Sequence, residues 1–161
     1  MSEKISEHPK FIENVAELAD RAGRGEVIVK EELGITDGQM EAMYAVAYNQ
    51  FQSAKYDDAV KSFSLLCMFD PFEYKYLFGI ASCFHMKGEY ELASMYYVIA
   101  SGMDENDPAP FFHTAECMIA VKDKKGAEEA LALTFERAGD NPQYAPLRKR
   151  AEMLLESIAS Y

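Results

Sequence analysis

Shifted against itself by 34 residues, the chain brings like residues together three times over. Met43, Leu77 and Phe111 coincide, and so do Ala47, Ala81 and Ala115. Further on, Tyr56, Tyr90 and Lys124 align, then Ala59, Ala93 and Ala127, then Phe63, Tyr97 and Leu131. Cys83 falls on Cys117, and Gly88 on Lys122. A fixed period means that one supersecondary unit is copied along the chain, and a unit this small buries its apolar face only by stacking on its neighbours. The units run over residues 40–73, 74–107 and 108–141.

Thirty-four residues is the period of the tetratricopeptide repeat, two antiparallel helices per unit. The residue types suit that geometry. Close helix crossing requires small side chains, supplied by Ala47, Ala81 and Ala115 on the first helices and Ala59, Ala93 and Ala127 on the second. Bulky inward residues such as Val46, Phe63 and Leu66 are expected to fill the space between hairpins. The fold class is therefore all-α: one domain with three tetratricopeptide hairpins in a superhelical array, an N-terminal helical segment over 9–35 and a C-terminal capping helix over 142–161. The spacing predicts helix pairs at 38–52 and 56–69, 73–87 and 90–103, and 108–121 and 124–138.

Boundary chemistry agrees with these spans. Thr36-Asp37-Gly38-Gln39 has the form of a capping box. Asp70-Pro71, Asp107-Pro108 and Asn141-Pro142 each set a capping side chain before a proline suited to a first helical turn. Gly88 permits a tight turn. Lys122, Lys124 and Thr134 depart from the repeat pattern, so the third hairpin is expected to pack less regularly. The Lys122-Asp123-Lys124-Lys125 cluster reads as a solvated turn, with docking to an acidic partner as the lesser option.

The flanks are amphipathic. Phe11, Ile12, Val15, Leu18, Ala19 and Ala22 form one helical stripe before Gly23 and Gly25, and a short element over 27–33 leads to the turn at Gly34-Ile35. That stripe either packs on the first repeat or meets a second chain. At the other end Leu147, Ala151, Leu154, Leu155 and Ile158 share a face that can cover the last repeat.

Charge narrows the partners. The net charge is −11, divided as −3 over residues 1–36, −7 over 37–107 and −1 over 108–161, so a nucleic acid would be repelled. Three cysteines without close pairing do not make a disulfide framework. The charged opening MSEKISEHPKF lacks the apolar run of a signal peptide, and no window is apolar enough to span a bilayer. The expectation is a cytoplasmic protein that neither inserts into membranes nor binds nucleic acid.

Catalytic motifs are missing from the sequence: no CxxC, HExxH, GxSxG or phosphate-binding glycine loop occurs. A cluster of Cys83, His85, His113 and Cys117 is conceivable, but the two cysteines occupy the repeat position next to the crossing alanines, where a small buried thiol is a filler. The reading is no enzyme, no metal and no cofactor. A surface question remains. The outward positions of the first helices read Tyr44, Tyr48 and Phe51, then Phe78, Ser82 and His85, then Phe112, Glu116 and Ile119. An aromatic concave face of this kind calls for a partner to shield it, and an extended peptide segment fits. Packing into the core is the alternative for any one of these rings.

The strings MYAVAYNQFQSAKYDDAVKSF over 43–63, Leu66-Cys67 and FHTAEC over 112–117 resemble the class II chaperones of bacterial type III secretion. The resemblance covers about residues 10–140. It implies a chaperone that keeps hydrophobic translocator proteins soluble, unassociated and competent for export. In that family a short extended client segment, with prolines flanking a leucine, lies in the concave groove; Tyr44, Tyr48, Phe51, Phe78, His85 and Phe112 would line it here. Family members often dimerise through the N-terminal segment, which would assign Phe11, Ile12, Val15, Leu18 and Ala19 to a homodimer contact when no client is bound. The competing reading is a generic tetratricopeptide adaptor. Such adaptors clamp a terminal carboxylate with cations, and the groove positions above hold no Lys or Arg.

Overall fold

In the computed structural model, which describes Arg24 and residues 30–160, the repeat becomes six helices in three antiparallel pairs. They are α1 (Asp37–Gln52) with α2 (Tyr56–Phe69), α3 (Tyr74–Lys87) with α4 (Tyr90–Ser101), and α5 (Ala109–Ala120) with α6 (Lys124–Ala138). A 3-10 turn, Pro142–Tyr144, leads into α7 (Ala145–Ala159). All six crossing alanines are fully buried, so the small-residue layer lies where each pair of backbones comes together. Among the described residues no helix is long and apolar enough to cross a membrane. The N-terminal stripe Phe11, Ile12, Val15, Leu18 and Ala19 lies outside the described residues.

The three hairpins share one turn. Ala54, Gly88 and Lys122 all take positive φ, at 57°, 78° and 63°. In each unit the next residue closes the same 6→1 backbone bond at 2.9 Å: Lys55 to Gln50, Glu89 to Phe84 and Asp123 to Met118. Only one of the three positions is glycine, so Ala54 and Lys122 hold a left-handed conformation that costs an L side chain about 1–2 kcal/mol. The looser third hairpin expected from Lys122 and Thr134 is not found. Thr134 is fully buried, and its hydroxyl bonds the Ala130 carbonyl at 2.9 Å.

Caps explain where the helices start. Thr36 accepts from the Gln39 N–H while the Gln39 side chain accepts from the Thr36 N–H, completing the capping box. Asn141 accepts from Gln143 N–H at 3.0 Å, and Asp107 from Ala109 N–H at 2.9 Å. Asp70 does not cap the following helix. Glu73 takes that place, and Asp70 instead holds Lys30, which also pairs with Asp37 at 2.8 Å and ties the described N-terminal turn to α1 and α2.

Two side chains expected inside are not. Val46 is 54% exposed, while Met40 and Ala47 are the buried residues of α1. Leu155 is 39% exposed, whereas Ala151 and Ile158 bury against Phe112, Ala115 and Leu131, with Leu147 and Leu154 beside them. Helix α7 thus closes the last hairpin with a narrower stripe than its sequence offers.

A candidate peptide-binding face

Side chains of α1 meet those of α3, and side chains of α3 meet those of α5, as Glu41 with Lys75 and Phe78 with His113 show; in a stack of helix hairpins the first helices line the concave side. The 34-residue period puts equivalent positions in contact, as Lys75 pairing with Glu41 shows directly. On α1, Tyr44 stacks on Tyr48 with ring centroids 6.2 Å apart and leans on Phe63 and Tyr76. Lys75 lies 4.7 Å over the Tyr44 ring. Tyr48 is 46% exposed, and Tyr44 and Phe78 are half-buried. These three rings are the open part of the face.

Between α3 and α5 the rings form a second group. Phe78 meets Tyr74, Tyr97 and His113 at 5.2–5.7 Å. His113 stacks on Tyr97 at 5.2 Å and crosses His85 at 6.0 Å. The Tyr97 hydroxyl comes up from α4 beneath the face, donates to Ser82 at 3.3 Å and lies 3.4 Å from His85 Nδ1. Burial foremost pushes the Tyr97 phenol well above its ordinary range, so it stays protonated. Tyr74 donates to Asp107 at 2.6 Å, tying the start of α3 to the start of α5.

Ionisable groups sit inside this second group. Burial lowers the His85 pKa, with Glu116 opposing and His113 adding to the effect. Burial also works against the Glu116 carboxylate, but the hydrogen bond and charge of His113, with His85 and Arg150, outweigh it, and its pKa is lowered. Glu116 lies 2.8 Å from His113 Nδ1 and 3.3 Å from Arg150.

The nine positions singled out in the sequence therefore do not form one open trough. Tyr44, Tyr48, Phe78, Ser82, His85 and Glu116 fall on the face described. Phe51 turns to the end of α1 and packs on Tyr56 at 5.7 Å. Ile119 faces a separate cavity of about 510 Å³ with Lys122, Lys124 and Ile158. Phe112 is a correction: it is 1% exposed, because α7 covers it with Ala151 and Ile158 and Arg150 lies over its ring at 4.5 Å. Sequence reasoning missed Lys75, Arg150, His113 and Tyr97 as members of this face. Tyr97 carried a signal, since a tyrosine at a core repeat position needs a partner for its hydroxyl. The two cations carried none, because each is adjacent to the face only through the stacking of another unit. Cys83 and Cys117 are fully buried and do not join the histidines.

Stacked hairpins with small crossing residues and a ring-bearing first-helix face define a tetratricopeptide-repeat protein, and residues 40–71 match the tetratricopeptide repeat family. Low calcium response locus protein H of Yersinia pseudotuberculosis is 36% identical over 124 residues, covering 77% of this chain and 74% of that protein. The crystal structure of the Yersinia enterocolitica type III secretion chaperone SycD, in complex with a peptide of the translocator YopD, superposes with a TM-score of 0.73 at 34% identity, covering 78% of this chain and 95% of that one. PcrH, also known from Pseudomonas aeruginosa, in complex with the chaperone binding region of PopD gives 0.74 at 35% identity, covering 79% and 96%. The chain belongs to this family of type III secretion chaperones.

Proposed function

We propose that the chain is a translocator chaperone of a bacterial type III secretion system, working in the cytoplasm and without catalysis. It holds an extended, apolar segment of its client along α1 and α3, and so keeps the client soluble and unassociated until export. The observation that carries this reading is the open ring set Tyr44, Tyr48 and Phe78, flanked by Lys75, on the first helices of a chain related to SycD, whose structure contains a translocator peptide. Exposed rings of this kind supply large contact area at little conformational cost, and half-buried tyrosines keep a hydroxyl for the peptide backbone. A homodimer in the client-free state accords with the dimeric form of SycD.

The adaptor reading rests on a carboxylate clamp, and the cations at this face are engaged: Lys75 by Glu41, and Arg150 by Glu116. A peptide terminus would have to displace an acidic side chain at either one. The test uses co-expression with a hydrophobic translocator, followed by titration of a labelled peptide containing proline and leucine. Soluble complex is expected with the parent chain. Tyr48→Ala and Phe78→Ala are expected to weaken peptide binding by about tenfold, the scale of a peripheral hot spot. Unchanged affinity in both variants, with the fold intact, would overturn this placement of the peptide.

A further inference from the structure

His85 sits in the last turn of α3, and His113 and Glu116 stand one helical turn apart on α5. Residues three apart share a helix face, so the two α5 side chains point the same way, and the stacking of hairpins brings His85 against them. One ligand-capable atom from each residue lies within 4.8 Å of those of the other two. The imidazoles meet edge to face, at 74° with centroids 6.0 Å apart. Each residue is half-buried, leaving access from solvent. The surroundings also hold these groups in place: Tyr97 stacks on His113, its hydroxyl lies 3.4 Å from His85 Nδ1, and Ser82 accepts from that hydroxyl.

We propose that His85, His113 and Glu116 form a binding site for a divalent transition-metal cation, with Zn²⁺ the best chemical match. Two imidazole nitrogens and one carboxylate oxygen are a donor set that zinc takes readily, and three protein ligands leave a fourth coordination position for water or another donor. Bond lengths of about 2.0–2.2 Å put tetrahedral donors about 3.3 Å apart, so donors now within 4.8 Å of one another must draw together on binding. Rings and hydroxyls that fix ligand orientation are what a metal site requires of its surroundings, and Tyr97 with Ser82 supplies them. One group opposes the ion. Arg150, 3.3 Å from Glu116, places a positive charge beside the site and competes for the carboxylate. The two buried cysteines contribute nothing, so the donors differ from the mixed Cys/His set conceivable from sequence.

The site needs no client, and its test stands apart from that of the chaperone reading. The full-length chain, freed of metal with a chelator, is titrated with Zn²⁺ against a chromophoric competitor and with Co²⁺ followed by its visible absorption. One ion per chain is expected, with a Co²⁺ spectrum of tetrahedral type. His85→Ala and His113→Ala should each weaken Zn²⁺ by more than the about tenfold loss that removal of an outer-shell partner causes. Glu116→Gln preserves size but removes the anionic donor, and should likewise weaken Zn²⁺ by more than that tenfold, a check should either histidine variant fold poorly. Arg150→Gln should bind several times more tightly, which a merely structural role for this cluster does not predict. His8→Ala, altering the remaining histidine of the sequence, should bind like the parent. Binding that survives the His85→Ala/His113→Ala double change, binding lost on changing His8, or no binding in the micromolar range would each overturn the proposal.

Discussion

Position 44 and its counterparts 78 and 112 hold the same place in three successive hairpins, yet they end in different environments. Tyr44 and Phe78 keep open surface, and Phe112 keeps almost none. The ring types are similar, so the difference comes from the element stacked on each hairpin. In the first two units that element is the first helix of another hairpin, while in the third it is α7, whose Ala151 and Ile158 fold over Phe112. A repeat position therefore has a defined role only once its neighbour is known. The same contrast appears chemically: the α1 end of the face is phenolic, and the α3–α5 end holds two imidazoles and a carboxylate.

The largest expected effect tests this division directly. Phe112→Ala removes a fully buried ring and should cost about 3–5 kcal/mol in urea unfolding, whereas Tyr48→Ala should stay within about 0.5 kcal/mol. A mild Phe112→Ala would mean that α7 does not seal the third hairpin. Next comes Gly79, whose counterpart in the third hairpin is His113. A Cβ at Gly79 would come within 2.7 Å of the Phe63 ring, which itself is buried between hairpins one and two. Gly79→Ala should therefore destabilise by about 1–3 kcal/mol through overpacking, measurable as a lower midpoint at unchanged slope. A neutral result would show that the Phe63 ring can shift.

The shared turn sharpens the comparison at smaller scale. Ala54→Gly and Lys122→Gly relieve positive φ in the first and third hairpins and should each raise stability by about 0.5–1 kcal/mol after the added chain entropy of glycine is counted. Gly88→Ala should lower it by about the same 0.5–1 kcal/mol, since reduced chain entropy offsets part of the strain. If Lys122→Gly alone failed to stabilise, the third turn would be held by something its two sisters lack.

How much is legible in the sequence depends on how much a period can specify. The 34-residue register located every crossing alanine, and with local capping signals such as the box at Thr36 it placed each helix of the three hairpins to within two residues, because these depend on one unit and its own backbone. The face was only partly legible. Tyr44, Tyr48 and Phe78 follow from register alone, but the burial of Phe112 depends on α7, and the places of Lys75 and Arg150 depend on units 34 residues away. Residues i and i+4 on one helix look like a pair, which sets His113 beside Cys117 in the sequence, yet Cys117 points into the core and Glu116 does not. An Asp-Pro step suits either the end of one helix or the start of the next, and at Asp70 it is Lys30 that decides between them.

The thiols give the smallest effect and compare the two regions once more. Cys83 and Cys117 occupy the same position of hairpins two and three, both fully buried, while Cys67 lies in hairpin one and is half-buried. Burial pushes Cys67 and Cys83 up to about 11 and Cys117 up to about 12. For Cys67 the charge of Asp70 adds to the effect of burial. The thiolate is the reactive form, and an unfolded thiol ionises near pH 8.5. At pH 8 the native chain should thus be alkylated slowly, Cys67 first, with all three reacting readily in urea. The sign for stability comes from the same shifts. A folded pKa above the unfolded one means that the native state keeps its proton longer, so stability contributed by these thiols is complete below about pH 8.5 and is lost as pH rises toward 11. Replacing Cys83 and Cys117 by Ala should flatten that alkaline decline. Alkylation of Cys117 ahead of Cys67 would mean that the third hairpin opens more easily than the first, reversing the order that the seal by α7 requires.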